Sequence, residues 1–131
     1  MKAKVVWEND LSFKCTTDKG YETVMDGSGN AISPMESVLL AAGACSSVDV
    51  VEILKKGRFA IEDCVCDLNA TRADEPPRVF TSIHAHYTVK GKGITDKALA
   101  RAVQLSAEKY CSVMLMLTGK VNVTTSYTLV E

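Results

Sequence analysis

Ser33-Pro34-Met35-Glu36-Ser37-Val38-Leu39-Leu40-Ala41-Ala42-Gly43-Ala44-Cys45-Ser46-Ser47 is the stretch around which the rest of this chain arranges itself. It opens with a serine cap, a proline in the first turn and a glutamate three residues after the cap. That pattern lets two otherwise unpaired backbone N–H groups find side-chain acceptors, and it marks a helix start. The helix is expected to run to about Lys56, where Lys55, Lys56 and Arg58 suit the negative end of the helix dipole and Gly57 is the expected stop. Residues 38–54 are mostly apolar but are interrupted by Ser46, Ser47, Asp49 and Glu52, which reads as too polar and too short for a bilayer. A helix buried in a protein core is the expectation.

Working outward, residues 2–7, 11–16 and 20–26 are rich in Val, Phe, Thr and Tyr and are separated by Asn9-Asp10 and Asp18-Lys19-Gly20, as in an antiparallel meander. Asp26-Gly27-Ser28-Gly29-Asn30 is a loop leading into the helix. Beyond the helix, residues 61–72 and 79–89 alternate in polarity and are joined by Ala73-Asp74-Glu75-Pro76-Pro77, which predicts a long hairpin. Thr95 caps a second helix to about Tyr110, Cys111 to Leu117 reads as a third, shorter and fully buried helix, and Val121 to Leu129 is the last strand. The order βββ-α-ββ-αα-β predicts an α+β domain over residues 1–131, with helices on one face of a curled antiparallel sheet.

With 131 residues, 47% apolar and 24% charged, and a formal net charge of −1, the chain has the balance of an ordinary globular protein. No basic excess exists to displace counterions from nucleic acid or to hold an anionic membrane, so neither is the expected partner. The start Met1-Lys2-Ala3-Lys4-Val5-Val6-Trp7-Glu8 lacks the apolar segment of a secretory signal, and the expected location is the cytoplasm. Five cysteines, 15, 45, 64, 66 and 111, are an odd number in such a chain and point to reduced thiols rather than a disulfide framework.

Cys45 lies mid-helix among small residues that permit close approach by another backbone or a ligand, and the plainer reading is an inert core thiol. Cys111 falls at a helix junction, where unpaired N–H groups favour a thiolate; here too a core residue is the alternative. Cys64-x-Cys66 and His84-x-His86 invite a four-ligand metal site. Alternation puts the cysteines on the apolar face of one strand and the histidines on the opposite face of its partner, so no metal is expected. Nucleotide-binding, serine-hydrolase and zincin motifs do not occur.

Ser33-Pro34-Met35-Glu36 with Leu40 to Cys45, the stretch Ser106-Ala107-Glu108-Lys109-Tyr110-Cys111-Ser112, and Glu75-Pro76-Pro77-Arg78-Val79-Phe80 together resemble the OsmC/Ohr family, most closely its YhfA-like branch. The resemblance covers essentially the whole chain, and its two cysteines are 66 residues apart. It implies an intertwined homodimer with the long helix at the interface. It also implies a thiol peroxidase in which Cys45 takes an oxygen from a small organic hydroperoxide, Cys111 resolves the sulfenic acid as a disulfide, and a lipoyl-type dithiol restores both, with no cofactor. Val38, Leu39, Val48, Met114 and Met116 could line the alkyl pocket.

The chain departs from the family pattern in two charges. The family arginine of the N-terminal strand region has no counterpart, since the first arginine is Arg58. Met35 stands where the family has its glutamate, and Glu36, one residue later, falls on the opposite side of the helix from Cys45. Glu36 and Arg78 are the auxiliary candidates, with Arg101 behind them, and Asp49, one turn after Cys45, would oppose ionisation of the thiol. Two other readings stay open: a non-peroxidatic member of the same fold that binds a small apolar or thiol-reactive ligand, and a structural protein whose thiols are core packing.

Overall fold

A computed structural model describes residues 1–131. The backbone forms two compact units, Met1–Val38 and Leu39–Glu131.

In the first unit, strands β1 (Ala3–Asn9), β2 (Ser12–Thr17) and β3 (Glu22–Asp26) make the expected antiparallel meander in the order β1-β2-β3. Asp10 adopts φ 45° at the tight β1–β2 turn, where the Trp7 indole donates to its carbonyl at 2.9 Å. Every residue of β1 is exposed, including Val5 and Trp7 at 64% and 65%, so this sheet buries little apolar surface within the chain. The capping box at the start of helix α1 (Pro34–Lys56) is formed as its residues dictate. The Ser33 N–H donates to Glu36 Oε1 at 2.9 Å, and the Glu36 N–H donates to Ser33 Oγ at 3.1 Å. These bonds hold the Glu36 carboxyl below the usual carboxylate range.

Helix α1 has 23 residues, longer than its apolar stretch because the capped first turn and the lysine-rich last turn extend it at both ends. By length and composition alone it would suffice to cross a membrane, which corrects the expectation from residues 38–54. It buries one stripe only, Ala42, Gly43, Ser46, Val50 and Leu54, and leaves Leu40 and Val48 more than half exposed. It ends at Lys56, with Gly57 outside it, as expected. The left-handed residue is Arg58, at φ 64°, rather than Gly57. Around it the Arg58 N–H bonds Lys55 O at 2.9 Å and the Phe59 N–H bonds Leu54 O at 3.1 Å, the paired closure of a Schellman end. Gly57 serves packing instead, because a Cβ there would sit 3.0 Å from the Phe59 ring.

The second unit holds strands β4 (Ala60–Arg72), β5 (Phe80–Lys92) and β6 (Asn122–Val130), helices α2 (Asp96–Leu105) and α3 (Ser112–Leu117), and a π turn at Ser106–Tyr110. The α+β class is as expected, but the strands divide into two three-stranded sheets, and β5 pairs with β6 in parallel. A parallel pair needs a crossover of a dozen or more residues, and α2, the π turn and α3 supply it. The inner face of this sheet, with Cys64, Cys66 and Leu68 beside Ala85, Tyr87 and Val89, packs on a core that includes Val50, Leu54, Leu99, Val103 and Met114.

Candidate active site

Two cysteines 66 positions apart become neighbours because α1 and the π turn pack together inside the second unit. Cys45 is half-buried midway along α1. Cys111 is completely buried at the N-cap of α3, near enough to Cys45 for that thiol to act on its ionisation.

The Cys111 Sγ accepts from the Met114 N–H at 3.4 Å, so the contact between sulfur and helix start expected from the sequence is present. Its consequence is reversed. Burial pushes the Cys111 thiol up to about 11; the Met114 N–H opposes this, and the Cys45 thiol and the Asp49 carboxylate reinforce it. A single N–H at a short helix cannot offset removal of the sulfur from water. Cys111 is therefore a protonated thiol at neutral pH.

Polar side chains that the sequence reading did not single out hold this corner together. Ser106 is completely buried, and its hydroxyl lies 3.1 Å from the Ser46 carbonyl and 3.0 Å from Asp49 Oδ2. The Ser106 carbonyl accepts the Cys111 N–H at 2.7 Å, closing the π turn where a regular helix to Tyr110 was expected. On the other side of α1, the buried Tyr87 hydroxyl donates to Ser46 Oγ at 2.6 Å, and Ser46 Oγ lies 3.1 Å from the Gly43 carbonyl. Burial raises the Tyr87 phenol well above its ordinary value. A signal for Ser46 and Ser106 existed in their position, each a small polar residue inside an otherwise apolar helical stripe. Buried hydroxyls must find partners, but which partners depends on the crossing of α1 with the π turn.

Gly43 permits the close passage of β4 over α1, since a Cβ there would lie 2.5 Å from Leu68 Cδ1. The small residues before Cys45 thus admit a strand of the same chain. Of the expected pocket residues in this unit, Met114 is fully buried while Val48 and Met116 are exposed at 57% and 76%. A shallow cleft of about 330 Å³ beside α1 is lined by Ala44, Ser47, Val48, Val51, Glu52 and Cys64.

The other site candidates fall elsewhere. Glu36 is engaged in the capping box with Ser33. Arg78 donates from Nε to the Ala73 carbonyl at 3.2 Å inside the β4–β5 turn. Arg101 is exposed on α2. Cys64 pairs opposite Val89 and Cys66 opposite Tyr87, whereas His84 and His86 pair opposite Asn69 and Asp67, so the two sets do lie on opposite faces. The imidazoles form a ladder with β6: His84 bonds Thr124 and Ser126, and His86 bonds Ser126 and Thr128, at 2.6–2.9 Å. Burial raises both strand thiols; Asp63 and Cys66 add to this at Cys64, whereas Ser47 and Tyr87 oppose it at Cys66.

Comparison with known proteins bears on the family and the fold. Residues 27–126 match the family model described as OsmC-like protein. Protein YhfA of Escherichia coli K12 is 51% identical over 132 aligned positions, covering 99% of this chain and 98% of that protein. A crystal structure of a hypothetical protein from Aquifex aeolicus VF5 superposes with a TM-score of 0.91 at 33% identity, covering 98% of this chain and 95% of that one. An organic hydroperoxide resistance protein OsmC from Legionella pneumophila shares the fold, with a TM-score of 0.74 at 18% identity over 97% of this chain and 95% of that one.

Proposed function

This chain belongs to the OsmC-like protein family, and from that premise we propose that it is a cytoplasmic thiol peroxidase that reduces small organic hydroperoxides through Cys45 and Cys111. The observation that carries the reading is the pairing itself: a half-buried thiol on α1 beside a fully buried, protonated one on α3. A peroxidatic sulfur must meet substrate, and a resolving sulfur must wait beside it without competing for peroxide.

In the first step the Cys45 sulfur attacks the distal oxygen of the hydroperoxide. The O–O bond breaks, the alcohol departs with a proton, and Cys45 becomes a sulfenic acid. The Cys111 sulfur then attacks the Cys45 sulfur, the S–O bond breaks, and hydroxide takes up the Cys111 proton and leaves as water. A lipoyl-type dithiol restores both thiols by two exchanges and leaves as its own disulfide. This route uses no metal or organic cofactor and assigns no step to Glu36 or Arg78, whose side chains are engaged in a helix cap and a hairpin turn.

Proteins of this family are typically homodimers. A second copy of this chain is the occupant that the exposed apolar side chains Val5, Trp7, Leu40 and Val48 call for.

The test is intact mass and free-thiol count after one equivalent of cumene hydroperoxide, on the wild type and on Cys45→Ser. Loss of two thiols per chain, mapped to a Cys45–Cys111 disulfide and absent from the variant, is the expected result. Slow oxidation equal in both proteins sinks the reading.

One observation favours a second reading, a family member that binds a small apolar or thiol-reactive ligand without turnover. The charged group identified beside the thiol pair is the carboxylate of Asp49, not a cation. Modification of Cys45 by such a ligand without subsequent disulfide formation is what that reading expects.

A further inference from the structure

We propose that Ser106 is the positioning residue that joins the two cysteines into one reactive unit, a role resting on the peroxidase reading for its use but not for its geometry. Ser106 touches both backbones. Its hydroxyl lies 3.1 Å from the carbonyl of Ser46, the residue directly after Cys45, and 3.0 Å from Asp49 Oδ2 one turn further along α1. Its own carbonyl accepts the Cys111 N–H at 2.7 Å. One buried residue therefore ties the helix that carries Cys45 to the N-cap that carries Cys111.

The π turn gives this contact its form. Five residues, Ser106–Tyr110, close a ring one residue wider than an α-helical turn and hand the chain to Cys111 with extended backbone, φ −74° and ψ 104°. The insertion ends α2 and re-aims the next residue toward α1. Single π turns inside helices recur at functional sites because the wider ring displaces one residue from the regular spiral. The hydroxyl of Ser106 has two acceptors within reach and one proton, so it is a clamp shared between a main-chain carbonyl and a carboxylate, in a place without solvent exposure.

Disulfide closure requires the two sulfurs to approach to about 2.05 Å with a defined dihedral angle. The free energy of that step is set mainly by how well the two Cα positions are held beforehand, and a displacement of about 1 Å in a reacting pair costs about a hundredfold in rate. Removing the Ser106 hydroxyl leaves the cysteines, the π-turn carbonyl and the surrounding apolar core in place and loosens only the tie to α1. The clamp acts on the second step, where Cys111 attacks Cys45, and has no part in the first, where Cys45 meets peroxide.

The experiment separates the two steps. Wild type, Ser106→Ala, Asp49→Asn and Asp49→Ala are exposed to one equivalent of cumene hydroperoxide; the Cys45 sulfenic acid is trapped with dimedone, and the disulfide is followed by mass. In Ser106→Ala the sulfenic acid forms at the wild-type rate, the disulfide forms about tenfold or more slowly, and the dimedone adduct accumulates. Asp49→Asn, which keeps an acceptor for the hydroxyl and removes a charge that opposes ionisation of Cys111, closes the disulfide at least as fast as wild type, and Asp49→Ala closes it more slowly than Asp49→Asn. A purely structural role lowers thermal stability without changing the ratio of sulfenic acid to disulfide.

The same four proteins are also oxidised with diamide. Its N=N bond adds one thiol and is then displaced by the other, so that it takes up two electrons and two protons and leaves a Cys45–Cys111 disulfide without any peroxide chemistry. Disulfide closure in Ser106→Ala as fast as in wild type under diamide overturns the proposal. Slow closure under diamide together with no sulfenic acid under peroxide supports the clamp and rejects the peroxidase reading. Should Ser106→Ala not fold, Asp49→Ala carries the comparison, and its closing as fast as Asp49→Asn overturns the proposal.

Discussion

Two pairs of thiols lie within the second unit, and they differ in what their surroundings allow. Cys64 and Cys66 sit on one face of one strand, so their separation is that of two residues along extended backbone, roughly 6.7 Å. That is the outer edge of the Cα distance a disulfide spans, about 6.8 Å, with side chains pointing the same way rather than toward each other. Cys45 and Cys111 come from different elements and meet across a helix crossing, so their approach is set by packing, not by the repeat of a single strand. Burial raises the pKa of three of these thiols, Cys64, Cys66 and Cys111. A high thiol pKa by itself therefore does not mark the reactive pair; opposition in space does.

The sharpest break of the comparison is substitution within each pair. Cys45→Ser should reduce peroxide-driven disulfide formation to background, while Cys64→Ser and Cys66→Ser leave it at the wild-type level, as read from free-thiol counts after cumene hydroperoxide. A Cys64–Cys66 disulfide appearing as fast as Cys45–Cys111 would erase the distinction.

The next effect concerns pH. The folded state holds Cys111 as a neutral thiol with a pKa near 11, above its ordinary value, so the associated stability is fully present below about pH 9 and is lost as pH rises through 11. Urea melts between pH 8 and 11 should show wild type losing stability more steeply than Cys111→Ala. Parallel curves would mean that Cys111 is more open to water than its burial indicates.

Tyr87 connects the two pairs, donating to Ser46 on the helix side and standing opposite Cys66 on its own sheet. Tyr87→Phe removes a buried hydrogen bond and should cost about 1 kcal/mol, read as a fall of roughly 4 °C in Tm. Closure of the Cys45–Cys111 disulfide should persist, because the Ser106 clamp is untouched.

The smallest effects belong to the ends of α1. Ser33→Ala should destabilise by about 1 kcal/mol through loss of the cap, and Arg58→Gly should stabilise by about 1 kcal/mol by relieving a left-handed conformation that disfavours a Cβ. Neither should change thiol oxidation rates. A change on removing the capping box would give Glu36 a part in the chemistry beyond its cap.

Much of this molecule was legible from residue order. The capping box at Ser33 and Glu36, the meander before it, the hairpin around Pro76 and Pro77 and the split of Cys64 and Cys66 from His84 and His86 are all local statements. Each depends on hydrogen bonds within a few residues or on the two-residue repeat of a strand, and the structure contains each of them. The end of α1 at Lys56 was legible too, whereas the left-handed conformation at Arg58 rather than at the intrinsically favoured glycine was not.

By itself, then, the sequence determined the α+β class, the helix start, the faces of the strands and the two cysteines worth weighing, since all of these follow from periodicity, capping and residue type. Tertiary structure alone decided that β6 joins β5 in parallel, that the second helix ends in a π turn, and that Ser46, Ser106 and Tyr87 surround the thiols. It also decided the sign of the shift at Cys111. A helix start favours the thiolate and burial opposes it, and only the packed core shows that burial prevails.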